Sequence, residues 1–233
     1  MRRRVVPGGD GLVSIEQRFF GDNPHAVIAT ASSWFVSLVR VERGLLEFRD
    51  GHEVRRAPRQ FVLFVPPKSM VRMPVFGARI HTQGWGGLGH VARWPARPLA
   101  VPIEEPTPDL SVLRATVEDA DESRVVDADR GCSTRIRESR LALIDAMLQP
   151  LPVGRVARRS GWNSSVFSRS FRAAYGISPR AYCQRLRVHD AMMMLLTGVS
   201  IARVAFDAGF GDVSQFYRQF RRVTGAAPGR YRS

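Results

Sequence analysis

Four arginines stand where their side chains could do recognition chemistry. Arg169 and Arg172 are three residues apart, and Arg218 and Arg221 repeat that spacing 49 residues later. Residues three apart on a helix share a face, so each pair presents two guanidinium groups side by side. The guanidinium fork matches the O6 and N7 acceptors of guanine and also fits phosphate oxygens. One arginine of each pair can therefore reach bases while the other holds backbone. Ser165 and Ser168 precede the first pair, Ser214 and Tyr217 precede Arg218, and Arg222 follows Arg221.

No catalytic constellation stands out beside them. There is no Gly-x-Ser-x-Gly elbow, no Walker loop and no Cys-x-x-Cys pair. A metal centre needs clustered ligands, whereas His25, His52, His81 and His90 are dispersed without a His-x-His pair, so neither a metal nor another cofactor is expected. Cys132 and Cys183 are too few for a disulfide framework and read as free thiols in a reducing cytosol. No apolar run reaches the ~18 residues of a membrane span. The opening Met1-Arg2-Arg3-Arg4-Val5-Val6-Pro7 lacks the apolar stretch of a secretion signal, and its arginines read as a solvated tail.

The elements that must hold the arginines form an internal repeat. Val156-Ala157-x-x-x-Gly161-Trp162 returns 48 residues later as Val204-Ala205-x-x-x-Gly209-Phe210. Phe167-x-Arg169-x-Phe171-Arg172 returns 49 residues later as Phe216-x-Arg218-x-Phe220-Arg221, so the second copy has gained one residue between the blocks. Gly176-x-x-Pro179-x-x-Tyr182 returns as Gly225-x-x-Pro228-x-x-Tyr231. Each copy reads as two helices joined by a glycine turn. Asn163 and Asp212 are the expected caps of the second helices. Phe167, Phe171 and Ala174, and in the second copy Phe216, Phe220 and Val223, are the expected core stripes. Ser178-Pro179 opens a connecting helix that Gly198 ends. Its roughly 18 residues span about 27 Å, against about 34 Å between major grooves on one face of B-DNA. The Met192-Met193-Met194-Leu195-Leu196 run on that helix reads as packing.

Charge separates this region from the rest. Residues 133–233 hold 17 basic and 5 acidic residues, net +12 of the chain's +14, and a polyanion is the natural partner. Residues 101–132 hold 3 basic and 9 acidic residues, and five prolines fall between Pro95 and Pro108. That segment reads as a linker over 99–132 with a short helix near Leu110–Asp119. Residues 1–98 read as short strands: Trp34–Val41, Leu45–Arg49 after a break at Gly44, His52–Arg55 after an Asp50-Gly51 turn, Gln60–Val65, and pieces at Arg72-Met73 and Ala78–Ile80. The expected fold class is α+β, a small β-rich barrel or jelly roll followed by an all-α domain over 133–233. His81 and Trp85 are candidates for lining a small-molecule pocket in the β zone.

Residues 153–233 resemble the DNA-binding domain of the AraC/XylS transcription regulators. The resemblance is carried by Ser200-Ile201-x-x-Val204-Ala205-x-x-x-Gly209-Phe210-x-Asp212-x-Ser214-x-Phe216-x-Arg218-x-Phe220-Arg221-x-x-x-Gly225-x-x-Pro228-x-x-Tyr231-Arg232. With a first helix at about Ser133–Leu148 it covers the last hundred residues, and the β zone is similar to the cupin-like sensor domains that precede this module in many relatives. The resemblance implies a cytoplasmic activator without catalysis whose partners are double-stranded DNA, a small-molecule effector, RNA polymerase and a second copy of itself. It places base contacts at Ser165, Ser168 and Arg169, with Ser214 and Arg218 in the second copy; Arg172, Arg221 and Arg222 read as phosphate contacts because they stand on the flank. A cupin-type enzyme and a ligand-independent architectural DNA binder stand as the rival readings.

Overall fold

The computed structural model describes residues 2–7, 13–50, 53–88, 94–104, 109–149 and 152–232, with the backbone alone at 2–7, 13–20 and Leu88. His52, His90 and the Asp50-Gly51 turn at Gly51 lie outside the described residues. The strands are β1 (Arg2–Pro7), β2 (Val13–Asn23), β3 (Val27–Ala29), β4 (Ser33–Asp50), β5 (Glu53–Arg56), β6 (Gln60–Val65), β7 (Met70–Arg72), β8 (Val75–Leu88) and β9 (Leu99–Pro102). The helices are α1 (Leu110–Glu118), α2 (Thr134–Ala146), α3 (Pro152–Arg159), α4 (Ser164–Tyr175), α5 (Pro179–Leu196), α6 (Ile201–Asp207) and α7 (Val213–Thr224). The chain is thus β-rich first and helical after, as expected.

Antiparallel strands run in the order β1-β2-β8-β4-β6-β9, with β5 hairpinned onto β4 and β3 paired with β7 in a separate ribbon. The unbroken run Phe61-Val62-Leu63-Phe64-Val65 is apolar because β6 is covered on both faces. Phe61, Leu63 and Val65 join Val39, Val41 and Val71 of β7 on one side. Val62 and Phe64 join Trp34, Val36 and Leu38 on the other, under Leu113 and Val117 of α1.

Three expectations are corrected here. Arg2–Pro7 is no tail, since its backbone pairs with β2 from Arg2↔Arg18 to Pro7↔Val13. Gly44 does not break a strand: β4 runs through it with φ +79°, and the register to β8 slips on both sides of Arg43. This is a bulge where the β8 backbone comes close, because a Cβ on Gly44 would lie 2.3 Å from the Gly77 carbonyl oxygen. The segment 99–132 is not a bare connector. It supplies β9, paired with β6, and its Val125, Val126 and Ala128 are buried, while the short helix expected near Leu110–Asp119 is α1.

The helical half holds two cores, and α5 belongs to both. Tyr182, Cys183 and Leu186 pack with Phe167, Phe171 and Tyr175. One turn later Val188, Ala191 and Met192 pack with Val204, Phe216 and Phe220. The first core continues into the β half, through Val27, Ala29, Ala31, Met70 and Ala128. Beside it sits a buried ion pair. Arg140 Nε donates to Asp129 at 2.9 Å, its Nη1 reaches Tyr182 Oη and the Lys68 carbonyl, and Tyr175 Oη donates to the same carboxylate at 2.7 Å.

Candidate nucleic-acid interface

Each copy of the repeat folds as a helix, a glycine turn and a second helix: α3 with α4, and α6 with α7. Gly161 and Gly209 turn the chain at φ +66° and +77°, a region that suits glycine. The next residue closes each turn by the same bond, Trp162 N–H to the Ala157 carbonyl and Phe210 N–H to the Ala205 carbonyl. Asn163 then accepts the Ser165 N–H at 2.9 Å and Asp212 accepts the Gln215 N–H at 2.6 Å, so orphan donors of both second helices are capped.

The buried stripes are Phe167, Phe171 and Tyr175 in α4, and Phe216, Phe220 and Thr224 in α7. Every fourth residue is taken. The expected third positions are therefore displaced by one: Val223 is exposed, and Ala174 is only partly covered.

Facing away from these stripes, α4 exposes Ser165, Arg169 and Arg172 and leaves Ser168 half-buried. In the same way α7 exposes Ser214, Tyr217, Arg218, Arg221 and Arg222. Neither helix contains an acidic residue. Arg222 bonds to Gln184 on α5, and no ion pair among the described residues involves Arg169, Arg172, Arg218 or Arg221. Two cationic helix faces result, each backed by a buried aromatic stripe.

Several positioning residues were not singled out from the sequence. Arg135 on α2 donates to the carbonyls of Ser160 and Gly161, and its guanidinium lies 4.0 Å above the Trp162 ring. Trp162 in turn donates to Ser139 Oγ at 3.0 Å, which braces the first turn against α2. Arg187 on α5 bonds to the Met147 carbonyl. Long-range pairings of this kind carry no local spacing signal.

The β half meets the helices along α5. Arg185 donates to the Val27 carbonyl at 3.1 Å. Ser33 Oγ lies 2.7 Å from His189 Nδ1 and 3.1 Å from Asp190 Oδ1. A hydroxyl has one proton; with it given to the carboxylate, Oγ accepts from an Nδ1–H on His189. A cavity of about 360 Å³ opens at this junction, lined by Ala29, Phe35, Trp85, His189, Met192 and Met193 among others. Trp85 thus lines a cavity, whereas His81 is not among its lining residues. Burial pushes the Cys183 thiol up to about 11 and raises that of Cys132, so both are held as thiols.

A helix-turn-helix domain family matches residues 156–233. The virulence regulon transcriptional activator VirF of Yersinia enterocolitica is 37% identical over 86 residues, 36% of this chain and 32% of that protein. The family match is confined to the last third of the chain, the stretch that holds both helix-turn-helix units. A second relative, the transcriptional regulator ExsA of Pseudomonas aeruginosa, is 36% identical over 77 residues, 33% of this chain and 28% of that protein. The chain spans about a third of the length of these curated relatives. Among solved structures, the DNA-binding domain of AdpA in complex with a target DNA aligns at 27% identity with a TM-score of 0.40, covering 42% of this chain and 90% of that one. No helix among the described residues is long and apolar enough to cross a membrane.

Proposed function

We propose that the chain is a sequence-specific DNA-binding transcription regulator that lays α4 and α7 into successive major grooves of double-stranded DNA. The carrying observation is the pair of capped, acid-free helices that expose Arg169–Arg172 and Arg218–Arg221 in matching positions. The 18 residues of α5 separate them, a rod of about 27 Å at 1.5 Å per residue, close to the roughly 34 Å groove repeat once the helix offsets are added. In this reading Arg169 and Arg218 reach guanine, with Ser165, Ser168, Ser214 and Tyr217 around them. Arg172, Arg221 and Arg222 hold phosphates. The functional division then falls near residue 128, with β9 and α1 counted in the sensor half and 129–233 in the DNA-binding half. RNA polymerase and a second copy of the chain are its proposed protein partners, in the cytoplasm, and no catalytic step is assigned to it.

Selection of bound sequences from a random duplex pool by the full chain tests this reading. A preferred sequence with two reading segments about one DNA turn apart is expected. Several phosphate contacts should also give a log–log salt slope of about −4 or steeper, at roughly −0.9 per contact. A slope near zero with no enriched sequence overturns the proposal.

The cavity between β3, β4, β8 and α5 favours a second element of function, control by a small molecule. Its lining is mostly apolar, as ligand pockets are, and it touches both halves of the chain. A thermal-shift screen against metabolites tests it: a ligand that raises the melting temperature of the wild type but not of a Trp85→Ala variant is expected, and a ligand that shifts both equally refutes this pocket.

A further inference from the structure

We propose that Val166 is a further base-reading residue of the first unit, and that it reads the 5-methyl group of a thymine. This rests on the assignment of α4 as a recognition helix. The two units differ at this position in a way their shared fold does not demand. Val166 in α4 corresponds to Gln215 in α7, each one residue before a buried phenylalanine. Gln215 has a structural task. Its Oε1 accepts the N–H of Gly211, the extra residue of the second turn, at 3.0 Å. The first turn has no extra residue, so position 166 is released from that duty.

Yet the released position is filled by valine, 39% exposed. A β-branched side chain loses rotamer freedom on a helix, and here its methyls stand in water. A lone exposed valine on an ordinary surface helix would need no explanation. This one stands in the first turn of α4, beside Ser165 and three residues before Arg169. The N-terminal turns of a recognition helix are the part that meets base edges.

In the major groove the thymine methyl is the distinctive apolar feature of a base edge. Ser165 and Ser168 are short enough to let the helix approach closely. Val166 and Arg169 share a helix face, so their contacts fall on neighbouring base pairs, a thymine beside a guanine. The second unit, with Gln215 occupied, lacks an apolar reader at this position and serves as an internal control.

The test uses the full chain and the duplex it selects from a random pool. Each thymine of that duplex is replaced singly by deoxyuridine, which deletes one methyl and nothing else. One thymine in the segment read by α4 should be methyl-sensitive, weakening wild-type binding about fourfold, the effect of one apolar carbon withdrawn from water. Val166→Ala should bind the unmodified duplex at least as weakly and be indifferent to that replacement. The variant should melt no lower than the wild type, since alanine is the better helix former. Methyl sensitivity unchanged in Val166→Ala, or absent from the wild type, overturns the proposal. A pool that yields no preferred duplex overturns the recognition-helix assignment and this inference with it, a result distinct from a preferred duplex without methyl sensitivity.

Discussion

Arg72 on β7 donates from Nη1 to the Ala174 carbonyl, 2.9 Å away, in the last turn of α4. A helix C-terminus has carbonyls without helical partners and a negative dipole end, and a guanidinium answers both. A residue of the β half thereby finishes a helix of the helical half. The contact is close: a Cβ on Gly176 would sit 3.2 Å from the same guanidinium.

Arg72→Ala should loosen α4 and leave α7 alone. The hydrogen bond is half-exposed, so the loss should be about 1 kcal/mol. Hydrogen exchange read residue by residue checks it, with faster exchange expected at the last-turn amides of α4. Equal acceleration in α7 would show a global effect and defeat the claim.

The two arginines of each recognition helix should separate in a binding assay. Arg169→Ala should cost about 1–3 kcal/mol on the preferred duplex and flatten preference at one or two positions. Arg172→Ala should weaken all sequences evenly and make the salt slope shallower by about one unit. Arg218 and Arg221 should behave alike, one helical turn of DNA away. Competition binding at two salt concentrations decides it, and an Arg169→Ala variant with intact preference is the result that would refute the assignment.

Arg140 is 3% exposed and has Asp129 as its counter-ion. Asp129→Ala should leave a buried charge uncompensated and cost about 3–5 kcal/mol in denaturant unfolding. Removing both members together, as Asp129→Ala with Arg140→Met, should cost less than the single change. A double variant less stable than the single one would mean that the pair stabilises beyond compensating its own burial.

Burial holds the Asp190 carboxyl above the ordinary aspartate value of 3.8, against hydrogen bonds from Ser33 and Ser32 that pull it down. The folded chain therefore binds this proton more tightly than the unfolded chain. The resulting stability is fully present below the ordinary value and is lost as pH rises through the raised one. Asp190→Asn keeps a neutral acceptor for Ser33 at every pH. Melting temperatures from pH 4 to 7 should show the variant gaining on the wild type as pH rises. A gap that stays flat or narrows would falsify the direction.

The helical half was legible because its signals are local. Caps such as Asn163 and Asp212, the turn glycines and the phenylalanine spacing act within one or two turns, and a repeat states them twice. Val223 was misplaced because periods of seven and eight residues fit the pattern about equally, and only the packed partner chooses between them. The β half was harder to read. Pro102 suggested a linker, yet it is tolerated in β9 because that strand lies at the end of the sheet path and Pro102, opposite Phe61 of β6, is its last residue. Gly44 reads alike as a break or a bulge until Gly77 is known to approach it. The braces made by Arg135, Arg187 and Arg72 join residues 25 to 102 positions apart, beyond any local pattern.

The shared first core bears on how such regulators can be recombined. Val27, Ala29, Ala31 and Met70 share the first core with Phe167, Tyr175 and Leu186, whereas the second core, among the described residues, is built from buried side chains of the helical half. A chimera that joins a foreign sensor to this module at residue 133 would strip the first unit of part of its hydrophobic wall and of Asp129, leaving the second unit whole. The β3–β7 ribbon belongs with the module it packs against, so a functional graft has to carry that ribbon across or rebuild its inward-facing side chains on the donor.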